Sequence, residues 1–372
     1  MNRVSRATRY AATLTAALAA AASLTAGRVA VAYAQGQPRH PPSTGSPLVG
    51  RRSCAADRSA GTVTFVSPFG YDASVGIADV FAAQHLGYFA DLCLHVDIVA
   101  TSPDPYALVS SGAATVTNEG SAADALVAIA GGSHFVGIAT FGDTSDYALL
   151  TGERIRNLRE LDGKVVAYHT VMPVVLTEML RKAGVDIATL HEVNDTSYDP
   201  DLLEQGKFAA LQAYQSNEPI TLREQHLAFR EYTPAQFGVP GTFNVEVVNM
   251  TFLHRHPAAV AAFMRADLHA LTFCSAHAAT CVHIEQQSAS ASGIAYDATH
   301  SLAEWRFEDA LVLHHALPGK GIGVETTQEW APEQAALRRS DLVARVPSLV
   351  HAENTALVAS LYRGHTLVWP GP

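Results

Sequence analysis

The stretch that constrains the fold most strongly is residues 161–184, LDGKVVAYHTVMPVVLTEMLRKAG. Residues 165–168 predict a short buried strand. A helix is predicted from Pro173 to Gly184, because proline suits the first helical turn and glycine suits the end. Free backbone N–H groups at the start of such a helix can face a ligand. The segment therefore predicts an α/β sheet with a ligand site outside the strand ends, or an ordinary βα unit without a ligand.

The same alternation of strand and helix patterns runs through much of the chain. The first series predicts strands at residues 62–66, 94–99, 114–116, 135–141 and 147–150. The second series predicts strands at residues 165–168, 190–193, 209–214, 229–232 and 245–252. This alternation is typical of mainly parallel sheets covered by helices. From Cys274 onward the pattern is mostly helical, and we expect Trp305 and Trp330 to anchor a core.

Residues 1–34 have the pattern of a signal peptide. Three arginines precede an uncharged segment rich in Ala and Leu, and Ala32-Tyr33-Ala34 is typical of a cleavage site. Residues 35–60 are rich in Pro, Gly, Ser and Arg, which predicts a flexible leader. We therefore expect a periplasmic or secreted protein. A membrane anchor is the alternative, although the segment is weakly apolar for a span.

The composition excludes several classes of function. Hydrophobic residues make up 48% of the chain and charged residues 16%, as in a globular protein. The formal net charge of −10 argues against nucleic acid and anionic membrane surfaces as partners.

Export permits disulfides among the four cysteines, Cys54, Cys93, Cys274 and Cys281. Three pairings exist for four cysteines. We predict Cys274–Cys281 because these residues are close in sequence. We predict Cys54–Cys93 because they precede two strands that we expect to be neighbours. Buried thiols are the alternative, and a zinc site is not expected because no C-x-x-C spacing is present.

Six segments of the sequence occur in an order that resembles a known protein family. They are SPFGYD at 67–72, GYF at 87–89, SSGAATVTNEGS at 110–121, LRELDGKVVAYHT at 158–170, LQAYQSNEP at 211–219 and FNVEVVNMTFLHRHP at 243–257. Their order and spacing resemble the ABC-transporter substrate-binding proteins of the thiamine-precursor, sulfonate and nitrate group. The resemblance covers residues 62–275.

This resemblance implies an α/β, two-lobed type II periplasmic-binding-protein fold, with two mainly parallel sheets joined by two crossover strands. The crossovers are expected near residues 147–150 and 247–251. The expected organisation is lobe 1 at residues 62–148, lobe 2 at residues 149–248, and a return to lobe 1 with C-terminal helices at residues 249–372. A small-molecule ligand would lie between the lobes, which would close by a hinge motion. The implied partner is a membrane permease, and we expect a monomer.

Polar and aromatic residues near the ends of the predicted strands are the candidate ligand-binding residues. The aromatic rings could stack on a planar ligand, whereas Asn118 or Ser121 could simply cap a helix. Glu218 could accept a hydrogen bond from an amino group or a cationic ring nitrogen, or it could have a structural role at a helix start. The full set is Phe69, Tyr71, Asn118, Glu119, Ser121, Tyr168, His169, Thr170, Tyr214, Asn217, Glu218, Thr242 and Asn244.

The candidate loops contain no basic residue apart from Lys164 in a turn. The aromatic residues and Glu218 therefore favour a neutral or cationic heteroaromatic, such as a thiamine pyrimidine precursor. A sulfonate, taurine or nitrate site stays open as an alternative, because helix N-termini alone can bind anions.

Enzymatic chemistry is not predicted. The motifs H-E-x-x-H, G-x-x-x-x-G-K-[ST] and G-x-S-x-G and a Rossmann glycine fingerprint are absent from the sequence. The cysteine-rich iron motif of the eukaryotic pyrimidine synthases, which share the expected fold class, is also absent. An exported enzyme of thiamine-precursor metabolism and a ligand-sensing receptor subunit stay open as alternatives. No cofactor is expected, and the pairs His254/His256 and His314/His315 fit surface residues better than metal ligands.

Overall fold

Two five-stranded sheets form the framework of the protein. A computed structural model describes residues 46–371, except residues 103, 170, 196, 198, 317 and 318. Its strands in chain order are β1 (Thr62–Val66), β2 (His95–Val99), β3 (Val116–Glu119), β4 (Phe135–Gly142), β5 (Tyr147–Gly152), β6 (Val165–Tyr168), β7 (His191–Asn194), β8 (Ala210–Tyr214), β9 (Phe229–Tyr232), β10 (Phe243–Asn249), β11 (Tyr362–Arg363) and β12 (Thr366–Leu367).

The two sheets share one topology. The first has the order β2-β1-β3-β10-β4 and the second has the order β7-β6-β8-β5-β9. In each sheet four strands run in one direction and the fourth strand in the order runs against them. The predicted fold class, α/β with two mainly parallel sheets in a two-lobed arrangement, is confirmed.

The opposed strand of each sheet adjoins a crossing between the lobes. The chain leaves the first sheet after β4 and enters the second sheet at β5, as expected from the sequence. It returns between β9 and β10, so residues 233–242 make the second crossing. The expected crossing near residues 247–251 was placed too late, because β10 pairs with β3 and β4 along its length. Residues 243–248 accordingly belong to the first sheet.

Helices cover both sheets and fill the C-terminal third. They are α1 (Arg51–Ser59), α2 (Ala78–His85), α3 (Tyr88–Asp91), α4 (Pro105–Ser111), α5 (Ala122–Ala130), α6 (Val174–Lys182), α7 (Asp201–Glu204), α8 (Glu218–Glu224), α9 (Met250–Arg255), α10 (Pro257–Ala276), α11 (Ala278–Ala291), α12 (Ala298–Ala316), α13 (Thr327–Ser340), α14 (Leu349–Ala352) and α15 (Thr355–Ala359). Within the described ranges, no helix is both long and apolar enough to cross a membrane.

Several helices and strands begin or end a few residues away from the predicted positions. Pro173 precedes α6 as its N-cap residue and does not lie in its first turn. The strand predicted at residues 114–116 is β3, which extends through Asn118 to Glu119, so these two polar residues end a buried strand. The strand predicted at residues 245–252 ends at Asn249, whose side chain accepts a hydrogen bond from the Phe252 N–H and caps α9.

The C-terminal helices pack on the first sheet through two buried tryptophans. Trp305 and Trp330 have no exposed surface, which confirms them as core anchors. The Trp330 ring lies against Gly137 of β4, where an added Cβ atom would come within 2.5 Å of the ring. The last third of the chain is therefore an integral part of the first lobe.

Both predicted disulfides are present. Cys54 bonds to Cys93 and Cys274 bonds to Cys281, so all four cysteines are oxidised. The first bond ties α1 to the segment before β2. The leader prediction for residues 35–60 is wrong over residues 51–59, because these residues form α1. The predicted signal peptide, residues 1–34, lies outside the described residues.

Candidate functional site

A cleft lies between the two sheets, at the ends of β1, β3 and β8. Its empty volume is about 570 Å³, part of it open to solvent. The first sheet, the second sheet and α12 all contribute to its walls. The lining residues are Pro68, Phe69, Asp72, Ser74, Ile77, Asn118, Glu119, Gly120, Tyr214, Ser216, Asn217, Glu218, Phe243, Asn244, Glu304 and Glu308.

Two asparagines and a glycine build the first-sheet wall. Asn118 donates from Nδ2 to Asn244 Oδ1 at 3.1 Å, and Asn244 in turn donates to the carbonyl oxygen of Val75. Asn244 has a φ of +45°, a left-handed conformation that asparagine tolerates better than most residues. Gly76 is required here because a Cβ atom would lie 2.5 Å from Asn118 Nδ2. This tight contact fixes the two amides at the edge of the cleft.

Glu218 forms the second-sheet wall at the start of α8. Its Oε2 accepts from the Tyr214 N–H at 2.8 Å, which holds the end of β8 against the helix. Its Oε1 has no hydrogen-bond partner among the described residues, although the side chain is 2% exposed. Burial raises the pKa of Glu218 to about 7. Glu218 therefore offers a polar atom at the cleft that a ligand could engage.

His169 lies behind Glu218. Its Nε2 is 3.8 Å from Glu218 Oε1, and its Nδ1 lies 2.8 Å from the Asp195 carbonyl oxygen. Burial lowers the pKa of His169, which favours the neutral ring. The described lining of the cleft does not include His169, and we assign it to supporting Glu218.

Aromatic rings close the cleft across the lobes. The Phe69 ring, from the loop after β1, meets the Tyr214 ring edge-on with centroids 5.7 Å apart. Tyr214 also packs against Tyr147, with centroids at 5.0 Å. Phe69 is 39% exposed and lines the cleft. Edge and face contacts of this kind suit aromatic ligands.

Helix α12 contributes two carboxyl groups that the sequence analysis did not identify. Glu304 and Glu308 are each 3% exposed and lie one helical turn apart. Glu308 Oε2 accepts from the Val75 N–H at 2.7 Å and from the Ser74 hydroxyl at 2.8 Å. Glu304 shares a hydrogen bond with Asp72. Burial raises the pKa of Glu304 and of Glu308 well above the usual range.

A readable signal for the two glutamates exists in the sequence. The buried positions of α12 recur at helical spacing and comprise Ser301, Glu304, Trp305, Glu308, Val312 and His315. An acidic pair on the same stripe as a core tryptophan is unusual, because buried carboxyl groups need partners. That stripe, combined with the expected return of the chain to lobe 1, would have pointed to the cleft.

The thirteen predicted residues divide into three groups. Seven of them line the cleft together: Phe69, Asn118, Glu119, Tyr214, Asn217, Glu218 and Asn244. Five are not part of the described lining: Tyr71, Ser121, Tyr168, His169 and Thr242. Thr170 lies outside the described residues.

The residues outside the cleft have clear structural contacts. Tyr71 packs on Phe81 with ring centroids 5.3 Å apart. Ser121 caps α5 by accepting from the Asp124 N–H. Thr242 accepts from the Ala122 N–H and donates to Glu333.

Tyr168, at the end of β6, packs against the apolar core of the second sheet. Each of these four residues therefore has a structural contact outside the cleft, and a contact with ligand stays a prediction.

Neither metal chemistry nor thiol chemistry has a basis in the described residues. No group of three or more His, Cys, Asp or Glu side chains in the described ranges could hold a metal ion. All four cysteines are in disulfides. What the cleft offers is hydrogen-bond acceptors, amide groups and aromatic faces.

The comparison with protein families identifies the group. A family model described as "NMT1/THI5 like" matches residues 75–280, which is more than half of the chain. The chain belongs to the NMT1/THI5-like family. The match includes both crossings and every cleft residue from the two sheets after residue 75. Glu304 and Glu308 lie beyond its end. No curated protein matches the chain.

Solved structures share the NMT1/THI5-like fold at low identity. The periplasmic aliphatic sulphonate binding protein SsuA from Escherichia coli is 13% identical, with a TM-score of 0.57 over 84% of this chain and 96% of that one. A Candida albicans protein described as having the generic periplasmic binding protein fold is 14% identical, with a TM-score of 0.54 over 83% and 98%. The desulfurization enzyme DSZB is 10% identical, with a TM-score of 0.53 over 80% and 98%. These similarities show the fold.

Proposed function

We propose that this protein is an exported solute-binding protein that captures a small heteroaromatic molecule between its lobes and delivers it to the permease of an ABC importer. One observation carries the proposal. The inter-lobe cleft combines exposed aromatic surface with buried carboxyl and amide groups, and none of its described lining residues is Lys or Arg.

The lining favours a neutral or cationic ligand over an anion. The SsuA structure is that of an aliphatic sulphonate binding protein, and positive charge favours the binding of a sulfonate. The described cleft wall instead presents five carboxyl groups, from Asp72, Glu119, Glu218, Glu304 and Glu308. An aminopyrimidine, as in a thiamine precursor, offers a planar ring for Phe69 and amino hydrogens for the carboxyl oxygens.

The role is proposed to be binding without turnover. The sequence lacks the catalytic motifs considered above, and the oxidised cysteines leave no thiol nucleophile. A monomer in the periplasm, or secreted, fits delivery of one ligand by closure of two lobes. The permease would contact the lobe rims.

A thermal-shift screen tests this proposal. The chain without residues 1–34 would be heated with aminopyrimidines, thiamine, riboflavin, taurine, an alkanesulfonate and nitrate. A ligand at about 100 times its Kd stabilises by about 2.7 kcal/mol, which gives a visible rise in Tm. We expect a shift with aminopyrimidines or thiamine. Conversion of a pyrimidine by the purified protein would instead support the enzyme alternative.

A shift with taurine or nitrate alone would retain a solute-binding function and overturn the heteroaromatic ligand. If no compound shifts the Tm, native mass spectrometry of the protein isolated from its own periplasm is decisive. Protein that carries no small molecule in that measurement and binds none of the panel contradicts the binding function.

A further inference from the structure

We propose that the cleft selects a positively charged ligand and that α12 supplies the group that recognises the charge, formed by Glu304, Glu308 and Asp72. This inference rests on the proposed solute-binding function and specifies its ligand class. The ligand would carry an ammonium, amidinium or cationic ring nitrogen on an aromatic or apolar body.

The geometry places the three carboxyl groups at one end of the cleft. Glu304 and Glu308 project from neighbouring turns of α12, and Asp72 comes from the loop after β1 and hydrogen-bonds to Glu304. Glu285 of α11 lies behind them with no exposed surface, and its Oε2 accepts from the Tyr296 hydroxyl at 3.0 Å. Four acidic groups from three segments therefore converge on one corner.

These carboxyl groups have no Lys or Arg partner in the described part of the chain. None of Asp72, Glu285, Glu304 and Glu308 takes part in an ion pair among those residues. The nearest basic group is His300 at the rim, whose two ring nitrogens lie 3.1 Å from Asn217 Oδ1 and 3.2 Å from Glu224 Oε2. The acidic corner is thus not built as an internal salt bridge.

A second and independent observation lies on the opposite wall. Glu218 Oε1 is buried and lacks a hydrogen-bond partner among the described residues, and this side chain lines the same cleft. Glu119 Oε1, at the end of β3, is also buried without a hydrogen-bond partner among the described residues, and Glu119 lines the cleft as well. Unsatisfied acceptors in a buried position are costly in a folded protein. A ligand that donates hydrogen bonds inside the cleft would complete these two acceptors.

The burial of these carboxyl groups indicates that the ligand's hydrogen-bond donor is positively charged. A buried carboxylate must be paired or must hold a proton. Burial raises the pKa of Glu285, Glu304 and Glu308, which favours the protonated form of each group in the empty cleft. A ligand with a fixed positive charge can replace those protons and form charge-assisted hydrogen bonds, which are stronger than neutral ones. An anion would find no Lys or Arg side chain in the described lining of the cleft to pair with.

Three probes of similar shape and different charge test the inference. They are benzamidine as a cation, benzamide as a neutral molecule and benzenesulfonate as an anion, with thiamine as a larger cation. Calorimetry and thermal shift on the full chain without residues 1–34 would compare them at pH 7.5. We expect the cations to bind and benzenesulfonate not to bind.

Two substitutions locate the charge recognition. Glu304→Gln and Glu308→Gln keep the side-chain shape and remove the charge, and each should weaken cation binding by about tenfold or more. Affinity for benzamide or an uncharged aminopyrimidine should change much less. Glu325→Gln is the matched control, because Glu325 is equally buried but hydrogen-bonds to Thr140 away from the cleft. Asp72→Asn provides a third variant if a glutamine variant of α12 fails to fold.

Each outcome has a defined meaning. Binding of sulfonates, or equal binding of the neutral and cationic probes, overturns the charge inference and leaves a solute-binding function intact. Binding of cations that is unchanged in all three variants removes α12 from the recognition of charge. A panel in which no cation binds contradicts the inference as well.

Discussion

Glu218 shows how one residue can serve both the fold and the site. One carboxyl oxygen accepts from the Tyr214 N–H and so fixes the start of α8 against β8. The other oxygen lies 3.8 Å from His169 Nε2 and accepts no hydrogen bond from the described residues. The side chain therefore cannot be classed as purely structural, which was the alternative that the sequence left open.

The pKa of Glu218 predicts how stability depends on pH. Burial raises this pKa to about 7, from an ordinary value of 4.5. Between these two values the folded state holds a proton that the unfolded state has released, so the free energy of unfolding falls as pH rises. We expect the ligand-free protein to have a higher denaturation midpoint at pH 5.5 than at pH 7.5, measured by urea unfolding. The neighbouring Asp146, Glu304 and Glu308 should add to this slope, because burial raises their pKa values too.

Substitution separates the contribution of Glu218 from that of its neighbours. Glu218→Gln removes one titrating group, so the loss of stability between pH 5.5 and 7.5 should become smaller. Glu153→Gln, at an exposed position, is the control and should leave the pH dependence unchanged. A midpoint that rises with pH in the unsubstituted protein would contradict the assignment.

Single residues also show where sequence reasoning succeeds and where it stops. Glu218 and Asn244 were identified because each occurs in a segment whose order resembles a known family. Glu304 was missed because two glutamates four residues apart on a helix are equally typical of a solvated face. Whether these two glutamates are buried or solvated depends on which side of α12 packs against the first lobe. Tertiary contacts, and not the sequence of the helix, determine that side.

At the scale of single elements, the two disulfides differ in what they join. Cys54–Cys93 spans 39 residues and connects α1 to the start of β2, whereas Cys274–Cys281 spans 7 residues between α10 and α11. Closing a longer loop removes more conformational entropy from the unfolded chain. The longer bond should therefore contribute more to stability.

We expect the paired substitution of Cys54 and Cys93 by Ala to reduce the free energy of unfolding by about 4 kcal/mol, and that of Cys274 and Cys281 by about 2.5 kcal/mol. Urea unfolding of the two variants, side by side, measures the difference. The oxidised, unsubstituted protein is the reference. A larger loss from the shorter bond would show that contacts at the α10–α11 junction, and not loop entropy, dominate.

The second crossing shows what an element's own sequence does not reveal. The pattern of β10 predicted a strand, and a strand is present at Phe243–Asn249. Its partners are β3 and β4, more than 100 residues earlier in the chain. Alternation of apolar residues indicates that a strand is buried, but it does not indicate to which sheet the strand belongs. The return to the first sheet was therefore placed a few residues late.

At the scale of the whole molecule, contacts across the cleft hold the lobes together. Phe69 meets Tyr214, and His300 of α12 lies within hydrogen-bond distance of Asn217 and Glu224 of the second lobe. Arg339 of α13 also pairs with Glu178 of α6 at 3.0 Å. These contacts join the two lobes in this structure.

His300 should contribute to ligand retention through its contacts with the second lobe. Because His300→Ala removes two contacts between the lobes, one of them to Asn217 of the cleft lining, ligand dissociation should accelerate by roughly threefold to tenfold. Stopped-flow measurements with a ligand from the thermal-shift screen would give the rate. His95→Ala, an exposed histidine of β2, is the control. Equal dissociation rates in the two variants would show that the His300 contacts do not hold the closed form.

Glu304 and Glu308 of α12 lie beyond residue 280, and Asp72 lies before residue 75, so the family match of residues 75–280 contains none of the three. That range does contain both crossings and nine of the ten strands of the two sheets. If the proposed recognition of charge is correct, a relative could change the charge of its ligand by substitutions at these three positions, with both crossings left as they are.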